Sequence, residues 1–257
     1  MRSSNLWQGV VGYWSASAGP SGYRLLDRSG RGNHGTLTDM DAAADWVVDG
    51  GRYALDLDAS NDYIDLGGFT VSQSQPLSLR WFEKVASTAG TFQSRFIFKT
   101  DGTRGFIVFR STNATYLTLS VNGQSSGNYT QFSTAPSIAN SVGIWREWVL
   151  VNTSTLGASS NPWRLWVDGF EYTAATGSFA SAFGNANCRI GLDGLGDDPA
   201  NCMMDEITVW NRSLSPAEVA TLRQIGRGGM LTPRRRRRAY FAGVSGLRRR
   251  LLLTGQI

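Results

Sequence analysis

Histidine is almost absent from this chain: His34 stands alone among 257 residues. That excludes zinc sites built from several histidines and catalysis by paired imidazoles. His34 also lies in a glycine-rich turn, where a packed or hydrogen-bonded loop residue is the expectation and a catalytic base is not. Cysteine is scarce too. Cys188 and Cys202 supply neither a disulfide framework nor a C-x-x-C metal motif. They either pair across neighbouring strands or sit as small buried thiols, and the thiol reading comes first. No segment approaches the roughly 18 apolar residues of a membrane-spanning helix. The opening "MRSSNLWQGVVGYW" has no apolar run of the secretory kind, which sets the expectation of a cytoplasmic or virion-associated protein. The Asn-x-Ser/Thr matches at Asn113, Asn128, Asn152 and Asn211 then read as chance.

The basic charge is concentrated in one region. Residues 233–257 hold Arg234, Arg235, Arg236, Arg237, Arg238, Arg248, Arg249 and Arg250 and no carboxylate. Taking those eight arginines from the net charge of +5 leaves residues 1–232 at −3. The body is mildly acidic and the basicity belongs to a tail. The division expected is a body over residues 1–226 and an arginine-rich linker and arm over residues 227–257.

What is plentiful is β-forming. The chain carries 41% hydrophobic residues, 11% aromatics and 30 glycines against 7 prolines, enough for a full core with tight turns. Alternating or β-branched segments occur at 53–58, 62–67, 95–110, 116–123, 146–154, 163–174 and 202–210. Asp101-Gly102 and Asp168-Gly169 are hairpin turn pairs. Strands at this spacing without alternating helices argue for two packed antiparallel sheets. One helix is well signalled in "LSPAEVATLRQIG": Ser215 as N-cap, Pro216 in the first turn, Glu218 closing a capping box, Leu214 and Val219 as a hydrophobic staple, and Gly226 at the C-terminal end.

The order "VGYW…LLDRSGRGNHGTL…YALDLDASNDYIDLG…WREWVLV…RLWVDG…RIGLDG…MDEITVWNRSLSPAEVATL" resembles a laminin-G-like domain of the concanavalin A-like lectin/glucanase superfamily, in its bacterial and viral branch. The resemblance spans roughly residues 9–226 and implies an all-β, two-sheet antiparallel jelly-roll sandwich with one short C-terminal helix. It also implies that the loop at 27–35 lies near Asp205 and Glu206. A structural calcium is common in that neighbourhood of the family. Carried over by residue, its ligands here are Asp27, Asn33 and Asp205, with carbonyls from Gly30 or Gly32; Ca²⁺ takes several oxygen ligands in irregular geometry. The alternative is that Gly30, Gly32, Asn33 and Gly35 serve only a tight turn.

Glucanases of this superfamily carry an E-x-D-x-x-E strand that aligns carboxylates for retaining hydrolysis. The nearest match, "DEITVW", places Asp205 and Glu206 on opposite strand faces by simple alternation and adds no third carboxylate. The expectation is therefore a non-enzyme. Sugars are held by aromatic faces with a few polar anchors. Of nine tryptophans, Trp14, Trp81, Trp148 and Trp210 read as core, whereas Trp163, beside Asn161 and Pro162, is the one expected to be exposed and ligand-binding. The loop at 191–201, with Asp193, Asp197 and Asp198, reads as a solvated acidic rim. The arm has three readings: docking on an acidic protein partner or viral shell, contact with nucleic acid (less favoured, since only Tyr240 and Phe241 interleave the arginines), or simple solvation. Together these describe a non-catalytic carbohydrate-binding or adhesion module carried on a virion or other assembly. The alternative is a structural protein, a phage decoration or tail-associated component without a glycan ligand; a glycoside hydrolase comes last.

Overall fold

The computed structural model describes residues 5–71, 75–86, 92–99, 105–111, 116–121, 129–133, 142–154, 163–176, 188–192 and 199–231. The N-terminal part contributes β1 (Val10–Trp14), β2 (Arg24–Leu25), β3 (Gly35–Thr38), β4 (Trp46–Asp49), β5 (Arg52–Asp58) and β6 (Tyr63–Asp65). Then follow β7 (Ser78–Val85), β8 (Phe92–Lys99), β9 (Gly105–Ser111), β10 (Tyr116–Val121) and β11 (Tyr129–Ser133). The C-terminal part holds β12 (Trp145–Asn152), β13 (Trp163–Val167), β14 (Phe170–Thr176), β15 (Cys188–Ile190), β16 (Asn201–Trp210) and helix α1 (Pro216–Ile225).

These strands form two antiparallel sheets. One, the helix-side sheet, runs β13-β12-β7-β16-β5-β4, with β1 also pairing β16. The other, the open sheet, runs β2-β3-β6-β15-β8-β9-β10-β11. Strand β14 belongs to both: Phe170 to Thr173 pair with β13, while Ala174 and Thr176 pair with β11. The turn before it holds Asp168 and Gly169 at φ of 51° and 86°, the left-handed pair that a two-residue hairpin requires. The expected hairpin at 95–110 is present as β8 and β9, and its Asp101-Gly102 turn lies outside the described residues. The segments at 53–58 and 62–67 part company. β5 joins the helix-side sheet and β6 the open one, so the polar stretch between them is a crossing from sheet to sheet.

Period-two alternation sends one set of side chains between the sheets. Leu79, Trp81, Trp148, Leu150, Leu165, Ile190, Met204 and Ile207 are all buried in this main core, where Trp81 and Trp148 stack with ring planes 7° apart. Cys188 and Cys202 are buried there as free thiols, and burial pushes the Cys188 thiol up to about 12. The opposite face of the helix-side sheet buries a second, smaller core. Val10, Tyr13, Val149, Val151, Trp166 and Trp210 meet Leu214, Val219 and Leu222 of the helix segment. The helix starts as its sequence dictates: Ser215 Oγ accepts from Glu218 N–H, and the Glu218 carboxylate accepts from Ser215 N–H.

Candidate functional site

The loop at 27–35 is organised around one carboxylate. Asp27 Oδ1 accepts from the N–H groups of Tyr13 (3.1 Å) and Ser29 (2.8 Å), and Oδ2 accepts from Ser29 Oγ (2.8 Å) and Asn33 N–H (3.0 Å). Burial opposes the charge, yet these hydrogen bonds prevail and hold the carboxyl below its ordinary value. The turn is then laced to β1. Asn33 Nδ2 donates to Val11 O, Asn33 O accepts from Trp14 Nε1 at 2.6 Å, and His34 Nδ1 accepts from Asp27 N–H. Gly35 is required by close approach, because a Cβ there would lie 2.5 Å from Ile64 Cγ2. His34 is thus a hydrogen-bonded turn residue.

Asp205 meets the chain just after β1. It accepts from Ser15 Oγ (3.0 Å), Ser17 N–H (3.1 Å), Ser17 Oγ, Glu206 N–H (2.8 Å) and Arg227 Nε (3.0 Å). Asp27 and Asp205 are therefore both keyed to residues 13–17, as the resemblance implies. Their oxygens, however, are taken up by backbone N–H groups, donating serine hydroxyls and the Arg227 guanidinium, and the Asn33 amide is turned to a carbonyl. This donor set does not fit calcium. Among the described residues no three His, Cys, Asp or Glu side chains gather as a metal-holding group.

Simple alternation fails at Asp205-Glu206. Strand β16 is bulged between Asp205 and Thr208, with Glu206 at φ 49°. The bulge sits where the neighbour of β16 changes from β5, along Asn201 to Met204, to β1, along Ile207 to Trp210. Both carboxylates consequently point to the helix side, and the expectation of opposite faces is corrected. Glu206 accepts from Tyr13 Oη (2.8 Å) and Arg80 Nη1 (3.1 Å). Arg80, itself fully buried, also donates from Nε to Glu147 (2.7 Å) and from Nη2 to the Leu222 and Gly226 carbonyls at the end of α1. A guanidinium thus caps the helix C-terminus from beneath. Burial outweighs Arg80 and raises the Glu206 carboxyl; burial and then the Glu206 charge hold the Tyr13 hydroxyl far above its ordinary value. Asp205 and Glu206 are 1% and 0% exposed, so no sugar can reach them. Sequence reasoning missed this network; its one signal was Arg80 in the apolar run "LSLRWF".

Residues 227–231, read as linker, pack on the body. Arg227 lies 3.8 Å from the centre of the Trp145 ring and donates to the carbonyls of Asp49 and Tyr53, and Met230 is buried in the smaller core.

Trp163 is corrected. It is 4% exposed, sits at the start of β13 opposite Asn152, and packs in the main core, so it offers no ring to a ligand. Its position after Asn161 and Pro162 misled, because the strand begins at the tryptophan itself and turns it inward. The arginines at 234–238 and 248–250, and Asp193, Asp197 and Asp198, lie outside the described residues.

The outer face of the open sheet carries no helix among the described residues. Cross-strand register aligns Arg24, Thr36, Asp65 and Arg189 in one row, with Thr38 and Tyr63 paired in the next. Thr36 is exposed, and Thr38, Tyr63, Asp65 and Arg189 are half-buried. The Arg189 guanidinium lies 4.5 Å from the centre of the Tyr63 ring. An aromatic ring, a guanidinium, a carboxylate and two hydroxyls on one sheet face is the chemistry that grips hydroxylated rings.

A sequence profile of the concanavalin A-like lectin/glucanases superfamily matches residues 58–220, and the chain belongs to that family. No curated protein matches the sequence. Among solved structures it resembles the botulinum neurotoxin serotype D binding domain, with TM-score 0.62, 10% identity, and 85% of this chain and 52% of that one covered. It also resembles domain 4 of AbnA, a GH43 extracellular arabinanase from Geobacillus stearothermophilus, in complex with arabinotriose, with TM-score 0.58, 17% identity, and 82% and 97% covered. A third likeness is to the Trypanosoma rangeli sialidase in complex with sialic acid, with TM-score 0.58, 13% identity, and 84% and 33% covered. The chain spans about half the length of the botulinum domain. At these identities the likeness establishes the fold.

Proposed function

We propose that the protein is a non-catalytic carbohydrate-binding or adhesion module that takes a glycan on the outer face of the open sheet. The observation that carries this is the contrast in access. Tyr63, Arg189, Asp65, Thr36 and Thr38 share a sheet face that no described element covers, while the carboxylates nearest to a hydrolase pattern are buried in ion pairs and hydrogen bonds. Retaining hydrolysis needs two carboxyl groups flanking a bound glycosidic bond, and Asp205 and Glu206 cannot flank one. Two structures of the same fold support the reading: one is named a binding domain, and the other, a domain of an arabinanase, is in complex with arabinotriose.

The test is a glycan array probed with the full-length protein carrying glutamine at all eight arm arginines, so that charge cannot mimic binding. Defined hits that weaken in Tyr63→Ala and Arg189→Ala would support the reading. A blank array would sink it and leave the alternative of a virion structural protein, for which the acidic body and basic arm are the support.

A further inference from the structure

Strand β4 is a free sheet edge among the described residues: it pairs β5 and ends the strand order. Asp56 N–H donates to Asp45 O, and the register runs from Trp46 opposite Leu55 to Asp49 opposite Arg52. Positions 45, 47 and 49 therefore bond inward, and the N–H and C=O groups of Trp46 and Val48 point away from the sheet. Val48 is 63% exposed. An open edge of this kind is one that folded proteins cover or blunt.

The two ends of the β4–β5 hairpin differ in charge balance. At the tip, Asp49 is paired with Lys84 and its carbonyl accepts from Arg227. At the other end stand Asp45, Asp56, Asp58 and Asp62, with no basic side chain paired to any of them among the described residues. Burial, and then the charges of Asp58 and Asp45, push Asp62 up to about 6. These carboxylates are not arranged as a metal-holding group. What suits them is a set of long, separately placed cations.

Such a set follows directly in the chain. Arg227 is already seated at the hairpin tip, and Arg234 to Arg238 come shortly after it. Residues 227–231 pack on the body, and from Leu231, the last described residue, to Arg238 an extended chain reaches roughly 23 Å at about 3.3 Å per residue. Strand β4 is only about 13 Å long by the same rise. The arginines can therefore lie along the whole edge with length to spare, and their tethering favours the same chain over a second copy.

We propose that the arginine run at 234–238 docks on its own body, laying its backbone along the free edge of β4 and its guanidinium groups against Asp45, Asp56 and Asp58. The docked arm covers the exposed edge, balances the unpaired carboxylates, and is held by contacts that salt or a competing polyanion can release. The glycan face lies on the other sheet, so failure of the glycan reading leaves this contact untouched.

The experiment is amide hydrogen exchange on the full-length protein, comparing the natural sequence with a variant carrying Arg234→Gln, Arg235→Gln, Arg236→Gln, Arg237→Gln and Arg238→Gln. The expected result is slow exchange at Trp46 and Val48 that does not depend on protein concentration. It should quicken by about tenfold or more in the variant and at high salt. A reciprocal variant, Asp45→Asn with Asp56→Asn, should quicken the same two amides. Equal exchange in natural and arm-variant proteins would overturn the proposal, and so would protection that appears only as concentration rises.

Discussion

The two outer faces of this sandwich are built from the same alternating strands and have opposite fates. On the helix-side sheet, the outward positions carry Tyr13, Arg80, Glu147, Val149, Trp166 and Glu206, and the helix and residues 226–231 close over them. On the open sheet, the outward positions carry Thr36, Thr38, Tyr63, Asp65 and Arg189, and no described element covers them. An arginine stands on both faces, yet the two arginines do different things. Arg80 is fully buried and tied to two carboxylates and two carbonyls; Arg189 is half-buried and stacked on a ring. Covering a face turns its charges into architecture, whereas the charges of the uncovered face keep partial contact with solvent.

Removing Arg80 is the strongest way to break that contrast. Arg80→Ala leaves buried Glu206 without a cation and Glu147 with only Arg223 at 3.9 Å, and frees two helix-end carbonyls, so the cost should be about 3–5 kcal/mol. Chemical denaturation measures it. The triple variant Arg80→Met, Glu147→Leu, Glu206→Leu should recover most of the loss, because an apolar set needs no charge balance. If the triple variant is less stable than Arg80→Ala, the account of the network as a set of mutually dependent buried charges is wrong.

Trp163→Ala comes close behind. A tryptophan buried in the main core should cost about 3–5 kcal/mol when truncated. Once folded, at low temperature, the variant should keep whatever glycan hits the natural protein shows. Loss of those hits with stability intact would return Trp163 to the ligand site.

The loop carboxylate gives a smaller effect with a pH signature. Asp27→Ala removes the acceptor for Tyr13, Ser29 and Asn33 and should cost about 1–3 kcal/mol. Because its folded-state value is depressed below 3.8, the stability it contributes is fully present above that pH and is lost as pH falls through the lower folded value. Asp27→Asn should therefore flatten the acid limb of the stability curve. An unchanged acid limb would mean that the carboxylate's charge does not hold the turn.

The parts of this molecule that sequence reveals are those governed by local chemistry. Ser215 with Glu218, Asp168-Gly169, and Gly30 and Gly32 each act within a few residues, and the structure uses each as a cap or turn. What escapes is decided by distant chain. The bulge at Asp205-Glu206 arises because β16 changes neighbour there, and period-two counting cannot register an inserted residue. Arg80 looks like a solvent-facing charge until a helix more than 130 positions later is laid over it. Trp163 shows the reverse error, a loop-like context for a side chain that the first strand position turns inward. The candidate face is the least legible of all. Thr36, Tyr63, Asp65 and Arg189 come from three segments, and only strand register makes them neighbours.

That face yields the smallest expected effect on stability and the sharpest test of the contrast. Tyr63→Ala and Arg189→Ala each remove a half-buried side chain from a solvent-facing row, and the cross-strand contact they share is worth about 0.5–1 kcal/mol. A ligand held between ring, guanidinium and hydroxyls loses more than the fold does, because those groups act on it at the centre of the contact. Isothermal titration with a glycan identified on the array should therefore show about tenfold or greater weakening in either variant. The Arg80 variants, assayed at a temperature where they remain folded, should bind as the natural protein does. The opposite pattern, with binding sensitive to Arg80 and indifferent to Tyr63 and Arg189, would move the ligand to the helix-side sheet and require the helix to lift away from it.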